Sequence, residues 1–379
     1  MLQSFVVYTE LAISLFLLGL VSAKRERVYH YENKKLWFWY WEVVLALFVF
    51  AFVSGIRFQV GVDHFAYLKN YLMLQNSNVF LFEKEFGFDA ITSLFVSLGF
   101  HFSFYFGFFA FLQIFFIYRA FKNERYLYPF LGVVIIFGPH YLSWMNGIRQ
   151  MLVATIFVYS IQFIVQKNFL KYTATIFLAS LIHQSALILL PLYFLPQRDY
   201  FKSRGVLVFL VFITIYIGTT NVWIGLLNSL GGLISFIGYD NISGKLDLLI
   251  ENNQVRNIGP RNLSIIFLAL VTIWFSPQLK RRFEYTNFSI YFNFSILGVL
   301  FSNLLNNAHH IFLRPITYLT VFSIVTTAYL LAYLAKKNIL WFFVVLMLVL
   351  SYLPMTLVAE SKNIYQDYSN YKFFWDYGY

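Results

Sequence analysis

The sequence predicts an all-α fold, that of a polytopic integral membrane protein. Of its 379 residues, 60% are hydrophobic and only 12% are charged, which lies outside the range of soluble globular domains. Apolar segments long enough to cross a bilayer recur along the chain and alternate with short polar clusters. We therefore expect about 10–12 transmembrane or re-entrant helices. They would form a single transmembrane domain over residues 1–379, without a separate soluble domain.

Charge and cysteine content exclude several classes of function. The net charge is +11, but the basic residues are dispersed through the loops, without the basic stripe and interleaved aromatic residues of a nucleic-acid interface. The chain has no cysteine, so disulfides and thiolate metal sites are excluded. Nucleic acid is therefore not an expected partner, whereas membrane lipids are.

The helices follow from the apolar runs, and their direction follows from the positive charges between them. The first run, residues 5–21, precedes Lys24, Arg25 and Arg27, which predicts a retained helix with its N-terminus outside. Inner loops are then expected at residues 24–35, 119–125, 167–171, 198–204, 280–282 and 336–337. The later spans are expected at residues 39–53, 102–118, 127–142, 148–165, 206–223, 263–275, 290–304, 312–334 and 340–354.

Three segments are not simple spans or short loops. Residues 57–101 must begin and end outside, so residues 86–98 are expected to form a short external or re-entrant helix. Residues 172–195 start and end at inner basic clusters but suffice for only one crossing. They form either a re-entrant hairpin that turns near His183 or a single span. A second outer loop, residues 226–260, is either an amphipathic lid or an ordinary connection.

Three arginines are predicted at the outer N-terminal ends of helices: Arg149, Arg261 and Arg314. Asn146 would cap the first of these helices, Pro260 precedes Arg261, and Pro315 follows Arg314 in the first turn that proline favours. The helix dipole makes a cation there mildly destabilising unless an anion shares the site. Each arginine could simply reach the outer headgroups. A phosphate bound by guanidinium groups and backbone N–H groups would explain all three.

The first outer loop opens with the motif "GIRFQVGVDHFAYLKNY", residues 55–71. Asp63, Tyr67 and Tyr71 are spaced four apart, so a helix from Asp63 would place both tyrosines below its carboxylate. Asp63 is interpreted either as a helix N-cap or as a general base beside a sugar hydroxyl, with the tyrosine rings as a platform. Arg57 lies at the C-terminal end of its helix, where the dipole favours a cation.

His183 is the one ionisable group in the apolar stretch "LASLIHQSALILLPLY". An ionisable side chain within a membrane is a candidate functional residue, although a buried histidine can also be merely hydrogen-bonded. His309 and His310 precede "IFLRP" on the outer side. No His-x-x-x-His pair or acidic cluster accompanies them, so no metal site is expected.

Four motifs, in this order, resemble the EpsG family: "GIRFQVGVDHFAYLKNY", "NGIRQMLVATIFVYSIQFI", "FLASLIHQSALILLPLYFL" and "FLRPITYL". This family comprises membrane proteins of bacterial exopolysaccharide, capsule and lipopolysaccharide O-antigen gene clusters and includes Wzy-type repeat-unit polymerases. The resemblance implies functional roles for Arg57, Gly61, Asp63, Tyr67, Arg149, Gln150, His183, Ser185 and Arg314. His64 stands where members often have an aromatic residue, so we expect that position only to pack.

The arginines and the resemblance together predict a GT-C-like glycosyltransferase. Its substrate would be an undecaprenyl-pyrophosphate-linked oligosaccharide, polymerised without a cofactor at the outer face of the bacterial inner membrane. Arg149 and Arg314 would act on the donor pyrophosphate, and Asp63 or His183 would be the base. A chain-length regulator protein is a further candidate partner. The candidate substrate-binding residues are Arg57, Tyr67, Tyr71, Gln150, Arg261, His309 and His310.

Two other functions remain open at this point. A lipid-linked oligosaccharide flippase would explain ionisable groups at depth, but it should show paired halves, and no internal repeat is found. An outer-face polysaccharide acyltransferase could also use the deep histidine.

Overall fold

The computed structural model describes residues 1–32, 35–77, 85–195, 199–220, 222, 258–307, 310–361 and 368–377. In these residues the chain forms fifteen α-helices and two strands of two residues each. Six helical segments are long and apolar enough to cross a membrane. The predicted all-α, multi-pass fold is therefore confirmed. Most of the predicted outer loop at 226–260 lies outside the described residues.

The helices alternate with short connections along most of the described chain. They are α1 (Leu2–Tyr31), α2 (Trp41–Gly55), α3 (Val62–Ser77), α4 (Phe86–Ser97), α5 (Phe102–Ala120), α6 (Tyr128–Phe137), α7 (Tyr141–Asn146), α8 (Ile148–Val165), α9 (Phe169–Ile182), α10 (Arg204–Thr219), α11 (Pro260–Arg282), α12 (Phe288–Leu304), α13 (His310–Thr320), α14 (Phe322–Lys337) and α15 (Ile339–Glu360). Short 3₁₀ segments cover Arg125–Leu127, Gln184–Phe194 and Phe374–Tyr377. The strands are β1 (Arg57–Phe58) and β2 (Lys372–Phe373), which pair antiparallel.

One of the predicted spans is wrong as a continuous helix. The span predicted at 127–142 divides into α6 and α7, because α6 ends at Gly138 and the following Pro139 has no backbone N–H to donate. The span predicted at 312–334 agrees with the apolar helical segment Leu313–Lys337, in which a turn at Val321 separates α13 from α14. The expected short helix at 86–98 is confirmed as α4, which has only 12 residues.

The described chain divides into two compact units. The first comprises Met1–Gln197 and Thr327–Tyr379, and the second comprises Arg198–Thr326. The single domain expected from the sequence stays a prediction.

Glycines allow close helix packing in the first unit. A Cβ at Gly19 of α1 would lie 2.6 Å from the backbone nitrogen of Pro129 in α6. A Cβ at Gly55 of α2 would lie 2.5 Å from the carbonyl oxygen of Ser103 in α5. Larger residues at either position would force these backbones apart.

Two of the predicted inner loops come together in the first unit. Glu42, which is fully buried, accepts a 2.6 Å hydrogen bond from Arg25 Nε, and Arg125 Nη1 lies 4.0 Å from the same carboxylate. Arg125 also donates to the hydroxyl of Ser22 at 3.3 Å. Loops 24–35 and 119–125 thus lie at one end of the helices, as loops on the same side of a membrane must.

Residues 169–194 form a hairpin. The backbone is extended at His183, where α9 ends, and the 3₁₀ segment then runs back along α9. The Tyr172 hydroxyl donates to the Leu189 carbonyl at 2.6 Å, and the rings of Phe169 and Phe194 lie 5.8 Å apart. The hairpin prediction is therefore confirmed, with His183 at its tip.

The second unit also brings predicted inner loops together. Lys280, in the last turn of α11, lies 2.6 Å from Oδ1 of Asp199. It also donates to the Phe201 carbonyl at 2.6 Å. Loops 198–204 and 280–282 therefore share one end of this unit.

Candidate active site

The site begins at a break between two helices. Gly147 separates α7 from α8, and the carbonyl groups around the break are hydrogen-bonded by buried side chains. Arg57 Nη2 donates to the Met145 carbonyl at 2.8 Å, and Gln113 Nε2 donates to the Trp144 carbonyl at 3.3 Å. These contacts satisfy backbone groups that a continuous helix would have satisfied internally.

Helix α8 presents Arg149 in its first turn, as the sequence predicted. The prediction that Asn146 caps this helix is wrong, because the N-cap is Gly147, which has no side chain to act as a cap. The Asn146 side chain instead accepts a 2.8 Å hydrogen bond from the backbone N–H of Asp63. Asn146 thereby caps the first turn of α3 and fixes it beside the start of α8.

Arg149 lies among aromatic and acidic side chains of the loop at residues 57–101, which is predicted to lie outside. Its Nε donates to the Tyr67 hydroxyl at 3.3 Å, and its Nη1 donates to the carboxylate of Glu85. The guanidinium carbon is 4.9 Å from the ring centroid of Phe88 and 5.5 Å from that of Tyr67. These contacts hold the guanidinium in one orientation while 35% of the side chain stays exposed.

Glu85 joins Arg149 to the tip of the hairpin. Its second carboxylate oxygen is hydrogen-bonded to Nδ1 of His183. Burial alone would raise the pKa of the Glu85 carboxyl, but the hydrogen bond from His183 and the charge of Arg149 bring that pKa below its ordinary value. Glu85 is therefore an ionised carboxylate shared by two nitrogen donors, and its side chain is only 11% exposed.

The sequence reasoning did not identify Glu85. It precedes α4 in the stretch "FEKEFGF", a small cluster of charges between apolar residues of the predicted outer loop. The one signal that could have identified Glu85 is the occurrence of charged residues so close to an apolar helix.

Asp63 extends the same group on the other side of Arg149. It is in the first turn of α3 and half-buried, and its backbone N–H is capped by Asn146, so the N-cap interpretation of Asp63 is wrong. Burial raises the pKa of the Tyr67 phenol, the charge of Arg149 lowers it, and the Asp63 carboxylate adds a smaller increase. The five side chains form a chain of neighbours: Asp63, Tyr67, Arg149, Glu85 and His183.

Two predicted site residues make internal contacts instead. Tyr71 is 1% exposed, and its hydroxyl donates to the Phe100 carbonyl at 2.7 Å. Arg57 is also 1% exposed and donates to the carbonyl of Ser54 near the end of α2, besides its contact to Met145. Arg57 therefore stabilises a helix C-terminus, as its predicted position suggested.

His64 packs as an aromatic residue would. It is fully buried, and its ring stacks on Phe106 with centroids 4.6 Å apart. Burial, followed by the charge of Arg57, lowers the pKa of His64 to about 3. The expectation that this position only packs agrees with these contacts.

The remaining candidates are distributed over both units. Gln150 is the third residue of α8 and half-buried, and Ser185 lies in the 3₁₀ segment after His183. In the second unit, Arg261 follows Pro260 in the first turn of α11, as predicted.

The predicted position of Arg314 at a helix start is wrong. Helix α13 begins at His310, so Arg314 is its fifth residue and Pro315 lies inside the helix. The apolar residues before Arg314 extend the helix toward its N-terminus. His309 lies outside the described residues. A role of Arg314 together with Arg149 stays a prediction.

Comparison with known proteins agrees with the resemblance seen in the sequence. The family model of the EpsG family matches residues 38–373, which is nearly the whole chain. No curated protein and no solved structure matches the chain. The matched region contains the hairpin, both helices of the break and every residue of the group from Asp63 to His183. The chain therefore belongs to the EpsG family, a family associated with Wzy-type polymerase-like proteins, and is a membrane protein of polysaccharide biosynthesis.

Proposed function

We propose that this protein joins polyprenyl-pyrophosphate-linked oligosaccharide repeat units into a polymer at the outer face of the bacterial cytoplasmic membrane. The observation that carries the proposal is the convergence of Arg149 and His183 on Glu85, at the uncapped start of α8. Such a group offers donors for a diphosphate and an oriented imidazole in one partly exposed place.

The reaction needs few components. A hydroxyl of the acceptor glycan attacks the anomeric carbon of the donor glycan and forms the new glycosidic bond. The bond from that carbon to the lipid pyrophosphate breaks, the pyrophosphate takes the electron pair, and the hydroxyl proton passes to a base. Because a diphosphate is already a good leaving group, the protein must supply orientation, charge stabilisation and the base.

His183 is the base that the contacts favour. When its Nδ1 carries the proton and donates to Glu85, its Nε2 is left to accept the proton of the acceptor hydroxyl. The carboxylate of Glu85 also stabilises the imidazolium that forms. Asp63, at the other end of the group, would then bind acceptor hydroxyls beside Tyr67.

Arg149 would bind the departing pyrophosphate. Its Nε and Nη1 are engaged by Tyr67 and Glu85, which leaves Nη2, among the described contacts, together with the first backbone N–H groups of α8. Bidentate binding, through two parallel hydrogen bonds from the guanidinium group, would require the phosphate to displace Glu85 or Tyr67. The interaction is thus predicted to be a single charge-assisted bond supported by the helix dipole.

The glycan length pattern of a deletion strain tests this function. A polymerase predicts that single repeat units accumulate on lipid and that long chains disappear. Loss of all surface glycan would indicate a flippase instead, and long chains that lack ester groups would indicate an acyltransferase. No contact among the described residues favours either alternative.

A further inference from the structure

The end of the described chain returns to the site. After α15, residues 368–374 run beside the turn between α2 and α3, where Arg57 pairs with Phe373 and Phe58 pairs with Lys372. The backbone N–H of Phe374 donates to the Ile56 carbonyl at 3.1 Å. We call residues 368–374 the returning segment.

The returning segment is held by buried contacts to the first two helices. The backbone N–H of Tyr371 donates to the Ser4 hydroxyl at 2.6 Å, and the Tyr371 hydroxyl donates to the Val53 carbonyl. The Tyr8 hydroxyl donates to the Tyr368 carbonyl at 3.4 Å. Tyr8 and Tyr371 also meet edge to face, with ring centroids 5.7 Å apart. Tyr371 is fully buried, so this segment is an ordered part of the first unit.

Tyr368 contacts the turn that leads into Asp63. Gly61 has a φ of +94°, a conformation that side-chain-bearing residues rarely adopt, and a Cβ there would lie 3.3 Å from Cε1 of Tyr368. On the other side, the same Cβ would lie 3.2 Å from Oδ1 of Asn146, the atom that accepts from the Asp63 backbone. The turn is therefore enclosed between the Tyr368 ring and the Asn146 amide.

The charge of Asp63 acts on the Tyr368 phenol. Burial raises the pKa of Tyr368 well above its ordinary value, and the negative charge of Asp63 makes the next-largest contribution. Only 6% of Tyr368 is exposed, so the ring is available to Asp63 and to the turn but little to a ligand.

We propose that Tyr368 is a positioning residue that sets Asp63 toward the acceptor glycan, and that the returning segment therefore belongs to the acceptor side of the site. This inference rests on the proposed function. It assigns the returning segment to acceptor binding, whereas Arg149 and α8 would bind the donor. The aromatic ring of Tyr368 makes the contact with the turn, so a phenylalanine at this position should preserve its role.

The test is binding of a repeat-unit oligosaccharide on a plain alkyl chain, which can accept but cannot donate. Purified full-length protein in lipid is titrated with this acceptor, and elongation is measured separately against donor concentration. We expect Tyr368→Ala to weaken acceptor binding and raise the acceptor KM by about tenfold, the scale of one lost contact, while the donor KM is unchanged. Tyr368→Phe should stay within about twofold of wild type. Tyr285→Ala, at an exposed tyrosine outside the segment, is the matched control.

A double variant shows whether Tyr368 acts through Asp63. If it does, Tyr368→Ala in an Asp63→Asn background loses no further acceptor affinity, whereas independent effects would multiply. Multiplied losses, or equal losses for donor and acceptor, would overturn the inference. Absence of elongation by the wild-type protein would instead refute the proposed function, while acceptor binding could still be measured. Thermal unfolding of each variant identifies a variant that fails to fold, in which case Tyr368→Leu takes its place.

Discussion

Arg149 binds the carboxylate of Glu85, a residue 64 positions earlier in the chain. His183 binds the other oxygen of the same carboxylate from 98 positions away. One half-buried acid thus sets the orientation of two residues that lie far apart in the chain. Predictions about this group concern its charge, its geometry and its kinetics.

The charge of Glu85 should be essential. Glu85→Gln keeps the shape of the side chain but removes the negative charge that aligns and stabilises His183. We expect the elongation rate to fall on the order of a hundredfold, the scale of a lost acid–base contribution. Asp89→Asn, in the first turn of α4, which follows Glu85, is the control. An unchanged rate would remove Glu85 from the mechanism.

Arg149 should be irreplaceable by lysine. A guanidinium can bond Tyr67, Glu85 and a phosphate at once, whereas an ammonium on a flexible stem cannot hold all three in that geometry. Arg149→Lys should therefore be nearly as defective as Arg149→Ala. The expected loss is on the order of 3 kcal/mol of transition-state stabilisation, or roughly a hundredfold in rate. Chain-length distributions from purified variants measure it. Normal products from the lysine variant would mean that Arg149 only anchors the helix end.

Asp63 and His183 should differ in kinetics. If His183 is the base, His183→Gln lowers kcat with little change in acceptor KM, while Asp63→Asn chiefly raises the acceptor KM. Both variants should insert into the membrane and unfold normally. The reverse pattern, with kcat lost only in Asp63→Asn, would make Asp63 the base and leave His183 as a partner of Glu85.

His64 should make stability depend on pH. Its pKa is about 3 in the folded protein against 6.5 ordinarily, so the unfolded chain takes up a proton that the folded chain does not. The folded state should lose about 1 kcal/mol per pH unit through His64 as pH falls below 6.5 toward 3. His64→Phe keeps the stacking on Phe106 and should remove this contribution, so stability should fall less steeply with pH than in the wild type. Thermal unfolding in detergent between pH 7 and about pH 4.5 measures it. Replacement of the exposed His30 is the control. If stability falls with pH as steeply in His64→Phe as in the wild type, the burial argument is contradicted.

The sequence predicts those parts of the fold that local signals determine. Helix α8 begins and ends at the predicted residues, since its apolar run is bounded by Gly147 and by the polar residues after Val165. The turn at His183 followed from the positions of basic clusters. The break after α6 was missed because apolar content outweighed the signal of Gly138 and Pro139.

The candidate site was only partly predictable, because its contacts join distant segments. Arg149, His183, Asp63 and Tyr67 were identified from charge, depth and resemblance. Glu85, the partner of Arg149 and His183, has no periodic or motif signal. Likewise, strands of two residues carry no alternation, so the pairing of β1 with β2 could not be read from the sequence. Asn146 was assigned to the wrong helix because capping was judged from adjacency alone.

The most direct test is polymerisation by the purified protein in lipid vesicles, given lipid-linked repeat units and no nucleotide sugar. The proposed function predicts a ladder of products that differ by one repeat unit, with one polyprenyl pyrophosphate released for each bond formed. His183→Gln and Glu85→Gln protein, prepared in the same way, should leave the repeat units unjoined. Repeat units that stay unjoined with the wild-type protein, or that cross the bilayer intact, would contradict the account.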